Sequence, residues 1–290
     1  MLFSAKAVLV KLCYRYGADT ETVLALRMLF SLPFFWGAVW WYTLNRRPAP
    51  MSPRDRIKLL LLGFIGYYLS SYLDFLGLQY VSVGLERIIL YLNPTIVLVL
   101  STVIVKKRIH ARQWLAMAVA YTGVLLVFVH DARVDGQQTL LGSSLVFMCA
   151  ITYAIYLIFA GEIVSRVGSL RLVAYASASS TFFCVLQALI KDPLEMISQA
   201  PEVYGLSLLN ASVCTFVPML LIMAAVKQVG SGLAAQAGVM GPVATVFLGW
   251  YFLGEPIGLL QALGVAIVLV SMGMLWSLSK QSQAAASAAE

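Results

Sequence analysis

Apolar runs dominate this chain and leave little choice of fold. Ten stretches read as transmembrane helices, near residues 2–15, 21–44, 58–80, 83–105, 113–130, 140–164, 171–190, 203–226, 232–253 and 258–278. A helix needs roughly 20 apolar residues to cross the hydrocarbon layer, where backbone amides must be satisfied within their own segment. Most of these runs meet that length, and they are too uniformly apolar for barrel strands. With 61% hydrophobic and 11% charged residues, the chain lacks the polar surface that a water-borne domain requires. The expected fold is an all-α integral membrane protein with ten transmembrane helices, its surroundings the lipid bilayer. From Lys280 the sequence KQSQAAASAAE has no apolar face to bury, so residues 280–290 are expected to form a disordered cytoplasmic tail.

The formal charge of +7 does not mark a nucleic-acid partner, because the basic residues are scattered through short loops and build no basic face. They read as topology determinants. Alternate connections hold Arg46, Arg47, Arg54, Arg56 and Lys58, then Lys106, Lys107, Arg108 and Arg112, then Arg166 and Arg171, then Lys227, with Lys280 in the tail. The opposite connections carry only Arg15, Arg133 and Lys191 among eight acidic residues, from Asp19 to Glu255. Lys and Arg in short loops stay on the cytoplasmic side. The expectation is a multi-pass protein of the cell (inner) membrane with both termini cytoplasmic.

An internal repeat runs through the chain. Tyr80–His130 aligns without a gap on Gln228–Leu278 at a constant offset of 148, pairing Val81 with Val229, Gly84 with Gly232, Pro94 with Pro242 and Gln113 with Gln261. The offset contains five crossings, an odd number, so the two copies lie in the membrane with opposite orientation. Inverted repeats of this kind mark secondary transporters, although duplication could also merely build a stable bundle. The two repeats are expected at 1–130 and 139–279. If Gly17 corresponds to Gly168, the first helix is about ten residues short of its mate, so either the true start lies upstream or this helix is tucked against partners.

The stretches YRYGADTETVLALRMLF, SYLDFLGLQYVSVGLERIILYLNPTIVLVLS and VGSGLAAQAGVMGPVATVFLGWYFLGEPIG resemble the ten-helix EamA type of the drug/metabolite transporter superfamily. The resemblance covers nearly the whole chain. It implies a five-plus-five inverted repeat around a central cavity, alternating access and, often, export from the cytoplasm. Relatives handle amino acids, nucleobase-like compounds, sugars and carrier-linked molecules, so the substrate is not specified. The second half has the family-like LGEPI at Leu253 to Ile257, but the first half reads VKKRI, with Lys107 where the acidic residue is usual. No functional role is assigned to that first-half loop.

Once loop charges are removed, Lys6, Lys11, Arg27, Asp74, Glu86, Arg87 and Glu162 remain in or near spans. A charge at the bilayer centre costs on the order of 2.5–3.5 kcal/mol, so such groups pair or face a wet cavity. Lys11 and Glu162 lie near enough to span ends to snorkel. On the third span Tyr67, Ser70, Ser71, Asp74 and Gly77 share one face and should point inward. Two readings stand for Asp74: it recognises a cationic group or takes up a proton, with Ser70 and Tyr67 supplying hydrogen bonds, or it forms a structural pair with Arg87 or Arg27. Glu86 and Arg87 point about 100° apart on a helix, so one of them is the functional or gating group.

Along the fourth span Glu86, Leu90 and Asn93 form one line, and Arg87, Tyr91 and Pro94 another. Pro94 kinks its helix, and its mate Pro242, with Gln236 and Met240 upstream, should do the same. Helices broken at matching depth point to a binding site, or they only shape the bundle. Tyr153 and Tyr156 in the sixth span, and Asn210, Thr215 and Pro218 in the eighth, are candidates to complete the cavity. Trp40, Trp41, Trp114 and Trp276 lie near span ends and read as interfacial anchors.

Four cysteines sit singly in apolar stretches, and the only histidines, His110 and His130, lie at span ends. No metal, cofactor or catalytic motif is indicated, so a membrane-embedded enzyme is disfavoured. The expected function is secondary transport, as an exporter, of a small metabolite, with amino acids the leading class and protons the candidate coupling ion. A lipid-linked or cationic drug-like substrate is the alternative. Small-residue faces such as Gly258 to Gly264 pack helices within a chain as readily as between chains, and a monomer is favoured.

Overall fold

In the computed structural model, residues 4–46, 51–104, 111–135, 138–235 and 241–287 are described, and every element among them is helical. The helices are α1 (Ser4–Arg15), α2 (Thr20–Arg46), α3 (Pro53–Leu78), α4 (Val83–Ile104), α5 (Ala111–Asp135), α6 (Gln138–Val167), α7 (Ser169–Lys191) and α8 (Pro201–Ser231). Helix α9 runs through Gly241–Leu248 and Gly249–Leu253, and α10 is Leu259–Ser287. Eight of them, all but α1 and α9, are long and apolar enough to cross a membrane. Two expected spans fall short. Helix α1 has 12 residues, and α9 is described only from Gly241, since residues 236–240 lie outside the described set. The exposed tryptophans Trp40, Trp41, Trp114 and Trp276 lie on the outer surface of the bundle, as interfacial anchors require.

Helix α10 continues past Lys280 to Ser287. Its alanines are the strongest helix formers and need no buried face to prolong a helix already nucleated in the bundle.

Local structure recurs between the two halves. Pro53 and Pro201 each open a helix, α3 and α8, where the missing amide would be unpaired anyway. Both helices then widen into a π turn, Phe64–Leu69 in α3 and Asn210–Phe216 in α8. Gly17 ends α1 at φ 84° and Gly168 ends α6 at φ 86°, a left-handed conformation that suits glycine. Gly230, at φ 81°, separates α8 from the helical residues leading into α9.

Packing follows the same exchange. Helices five apart pack on each other, α2 on α7, α5 on α10 and α4 on α9. The packing of α3 on α6 is mirrored by α8 on α1, that of α4 on α6 by α9 on α1, and that of α3 on α7 by α8 on α2. Where α5 crosses α10, a Cβ on Gly123 would meet the Gly264 carbonyl oxygen at 2.8 Å, so this small-residue face is used within the chain.

The face of α3 predicted to point inward packs on α6. Gly66 lies under the Tyr156 ring, where an added Cβ would come within 2.2 Å of a ring carbon. Gly66→Ala should therefore lower stability by about 1–3 kcal/mol through overpacking. Gly205→Ala in α8, with nothing within 4 Å of its Cβ position, should be neutral or stabilising by up to about 1 kcal/mol. Thermal melts of both variants in one detergent test the contrast.

Candidate functional site

The in-span charges gather where α1, α3 and α4 meet. Asp74 in α3 and Glu86 in α4 are both buried, Glu86 at 0% exposure. Their shared counter-ion is Lys6 of α1, which is ion-paired with Asp74 and lies 3.7 Å from Glu86 Oε1. The expected structural partners of Asp74, Arg87 and Arg27, are not its ion-pair partners. Lys6 lies in the first turn of α1, so α1 supplies the cation that pairs with Asp74. Neither oxygen of Glu86, nor Oδ1 of Asp74, has a hydrogen-bond donor among the described residues.

Glu86 and Arg87 diverge as helical spacing requires. Glu86 faces Lys6, whereas Arg87 Nε donates to Thr245 Oγ1 of α9 at 3.1 Å and stays 4.0 Å from Glu86 Oε2. Arg87 thereby ties the first half to the second. A second tie lies one turn on: the Gly241 amide donates to Tyr91 Oη at 3.0 Å. Tyr91 stands at a break in its helix: α4 stops at Leu90 and restarts at Asn93 with Pro94 its second residue. Proline cannot donate to the preceding turn, so the helix restarts with the proline in its first turn. The break in α4 thus touches α9 at Gly241, and residues 236–240, just before it, lie outside the described residues.

The rest of the expected cavity wall is packed rather than open. Tyr156 Oη donates to Tyr67 Oη at 3.0 Å and lies 3.3 Å from Met223 Sδ, and Tyr153 stacks on Tyr156 with ring centroids 5.8 Å apart. Ser70 Oγ meets Cys149 Sγ at 3.3 Å, and Asn93 Nδ2 donates to the Ala150 carbonyl at 2.9 Å. In α8, Asn210 and Thr215 are buried in the π turn, and Pro218 is the second residue after it. The wide turn absorbs the amide that Pro218 lacks. Gln236 lies outside the described residues. Lys6, Arg27 and Thr245 were not among the expected site residues; a buried charge in a span flags the first two, and nothing local flags Thr245.

One end of the bundle is laced by ion pairs and hydrogen bonds. Lys11 Nζ pairs with Glu255 Oε1 at 2.9 Å, while Glu255 Oε2 accepts the Val83 amide at 3.1 Å. Arg15 donates to the Leu253 carbonyl, and Lys191 pairs with Asp19 at 2.7 Å and Glu21 at 2.8 Å. Partial burial opposes ionisation of Asp19, but hydrogen bonds from Lys191 and Thr22 outweigh it and hold the carboxyl below its ordinary range. A cleft of about 470 Å³ opens at this end, lined by Lys11, Gln79, His130, Asp131, Glu255 and Gln261 among others. A second, apolar groove of about 680 Å³ lies between α2, α7 and α8, with Phe34, Trp41, Tyr42, Leu170 and Phe216 on its walls. Neither reaches Asp74, Glu86 or Tyr67.

The EamA-like transporter family matches this chain twice, over residues 1–129 and 140–277. The chain belongs to the EamA-like transporter family. A transporter of Bacillus subtilis (strain 168), YcbK, is 30% identical over 279 residues, covering 94% of this chain and 88% of that protein. A transporter of Archaeoglobus fulgidus is 23% identical over 259 residues, covering 89% and 87%. A crystal structure superposes with a TM-score of 0.71 over 96% of this chain and 95% of that one, at 15% identity, a likeness of fold. The EamA-like chain is thus a multi-pass membrane protein of a transporter family.

Because Lys6 neutralises two buried carboxylates, Lys6→Met should cost about 3–5 kcal/mol, the usual effect of stranding a buried charge. The combined variant Lys6→Met/Asp74→Asn/Glu86→Gln should recover most of that loss. Melting temperatures in detergent decide it, and an unperturbed Lys6→Met melt would remove Lys6 from the cluster.

Proposed function

We propose that this protein is a secondary transporter that moves a small metabolite, an amino acid in class, out of the cell by alternating access. On this reading it spans the cell (inner) membrane as a monomer with both termini cytoplasmic. The Lys6–Asp74–Glu86 cluster carries the proposal. Buried carboxylate oxygens without donors are costly where they stand, and they repay that cost only in a conformation that gives them a ligand, a proton or water. Helix α1 packs on α8 and α9, so any movement between halves shifts Lys6 relative to Asp74 and Glu86. The break in α4 at Tyr91, held by the Gly241 amide of α9, supplies a pivot at that depth. The mirrored packing supports two conformations of similar energy, in which the halves exchange roles.

In this scheme the laced end is the outer one, following the distribution of loop charges, and the structure corresponds to a state closed to the outside. Glu86 is the candidate proton carrier, since Asp74 holds the ion pair with Lys6.

The apolar groove between α2, α7 and α8 favours one other reading, a lipid-linked or cationic drug-like substrate entering from the side. Counterflow in liposomes separates the two. Saturable exchange of an amino acid, competed by other amino acids and not by lipid-linked compounds, is the expected result. With such a substrate in hand, Glu86→Gln should abolish uptake driven by a pH gradient and leave exchange intact, whereas Asp74→Asn should depress both. Loss of exchange in Glu86→Gln would assign Glu86 to binding rather than coupling.

A further inference from the structure

Arg27 is a buried charge that the scheme above does not use. The region around Phe75 holds three cations, Lys6, Arg27 and Arg87, against two carboxylates, Asp74 and Glu86. Lys6 is committed to the carboxylates, and Arg87 lies against Glu86 and Thr245. Arg27 stands apart from them. It is 2% exposed, and its guanidinium carbon lies 4.6 Å from the Phe75 ring centroid. Its Nε and Nη2 have no hydrogen-bond acceptor among the described residues.

A ring face compensates a guanidinium only in part, and a buried cation with two unpaired N–H groups is destabilising compared with an apolar side chain of similar volume. Stability therefore does not account for Arg27. Its surroundings carry the same signature of unfilled hydrogen-bonding capacity. Helix α2 packs on α7 and on the π turn of α8, and there Ser177 Oγ, Asn210 Oδ1 and Thr215 Oγ1 are also buried without partners. Lys6 lies over the same Phe75 ring, 5.9 Å from its centroid, so Phe75 has Arg27 and the carboxylate cluster as neighbours.

We propose that Arg27 receives the carboxylate of the transported molecule, and so selects substrates that carry one. The planar fork presents paired donors that match a carboxylate. Asp74, whose Oδ1 has no donor among the described residues and whose partner Lys6 lies over the same Phe75 ring, is placed for a substrate ammonium. This inference rests on the amino-acid reading and narrows it to the free acid.

The test uses the full chain in liposomes. The twenty amino acids are first screened for saturable counterflow, and the best is then compared with its methyl ester and its decarboxylated amine as competitors. Wild type should prefer the free acid by about 10- to 100-fold, the worth of a charge-assisted pair. Arg27→Gln should bring acid and ester within a few-fold of each other, and Arg27→Lys should retain part of the preference. A purely structural role would lower yield or melting temperature and leave the acid-to-ester ratio unchanged. Equal competition by ester and acid in wild type overturns the inference and leaves the transporter reading standing, and it applies even if no Arg27 variant folds. No exchange of any amino acid overturns both.

Discussion

Ionised groups cannot be left alone in the middle of a helical membrane bundle, and the arrangement of this protein follows from how that constraint is met. Lys6 is the only cation paired with Asp74 among the described residues, and it also faces Glu86. That side chain ties α1 to α3 and α4 by charge, beside the buried apolar face that Ala7, Val8, Val10 and Cys13 supply. The neutralisation is incomplete. Glu86 keeps two acceptor oxygens and Arg27 two donors without partners, so the charges are balanced in number more closely than they are satisfied in geometry. In hydrocarbon, such a residue of unmet hydrogen bonding is tolerable when function uses it.

A broken helix sets the place where this cluster meets the other half. A continuous α4 would have directed every amide and carbonyl into its own ladder. Restarting at Asn93 frees backbone groups at the turn, and there the Gly241 amide of α9 donates to Tyr91 Oη. Arg87, one turn before Tyr91, reaches Thr245, one turn after Gly241, so the two contacts act as a short ladder between the halves. Beneath it the Tyr67–Tyr156–Tyr153 stack fills the space with rings that can rotate without breaking a backbone hydrogen bond.

Much of this was legible in the sequence because it is written in local pattern. Apolar runs located the helices, Pro94 predicted the break in α4, and the stripe Tyr67, Ser70, Asp74 predicted a buried face. What escaped was non-local. Helical spacing shows that Asp74 points inward but not that Lys6, 68 residues earlier, waits there. The shortness of α1 drew attention to its completeness and away from its lysine. The π turns gave no signal in composition, since they rest on small shifts in hydrogen-bond register.

The repeat is faithful in backbone and one-sided in chemistry. At the gapless offset of 148, Glu86 and Arg87 correspond to Ala234 and Ala235, and aligning Gly17 with Gly168 places Leu157 opposite Lys6. Helix-opening prolines, π turns and helix contacts are duplicated, while these charges are not. On the proposed reading, that division is what an alternating mechanism asks of a duplicated fold. Two conformations of nearly equal energy require that each packing interaction have a counterpart in the other half, because whatever one half loses the other must gain. A site visited by both conformations needs only one set of charges, and a second set would double the cost of burial without adding a second destination. On that same reading the first half supplies the recognition chemistry and the second half the matching mechanics, and Thr245 and Gly241 are where contacts from Arg87 and Tyr91 join the two.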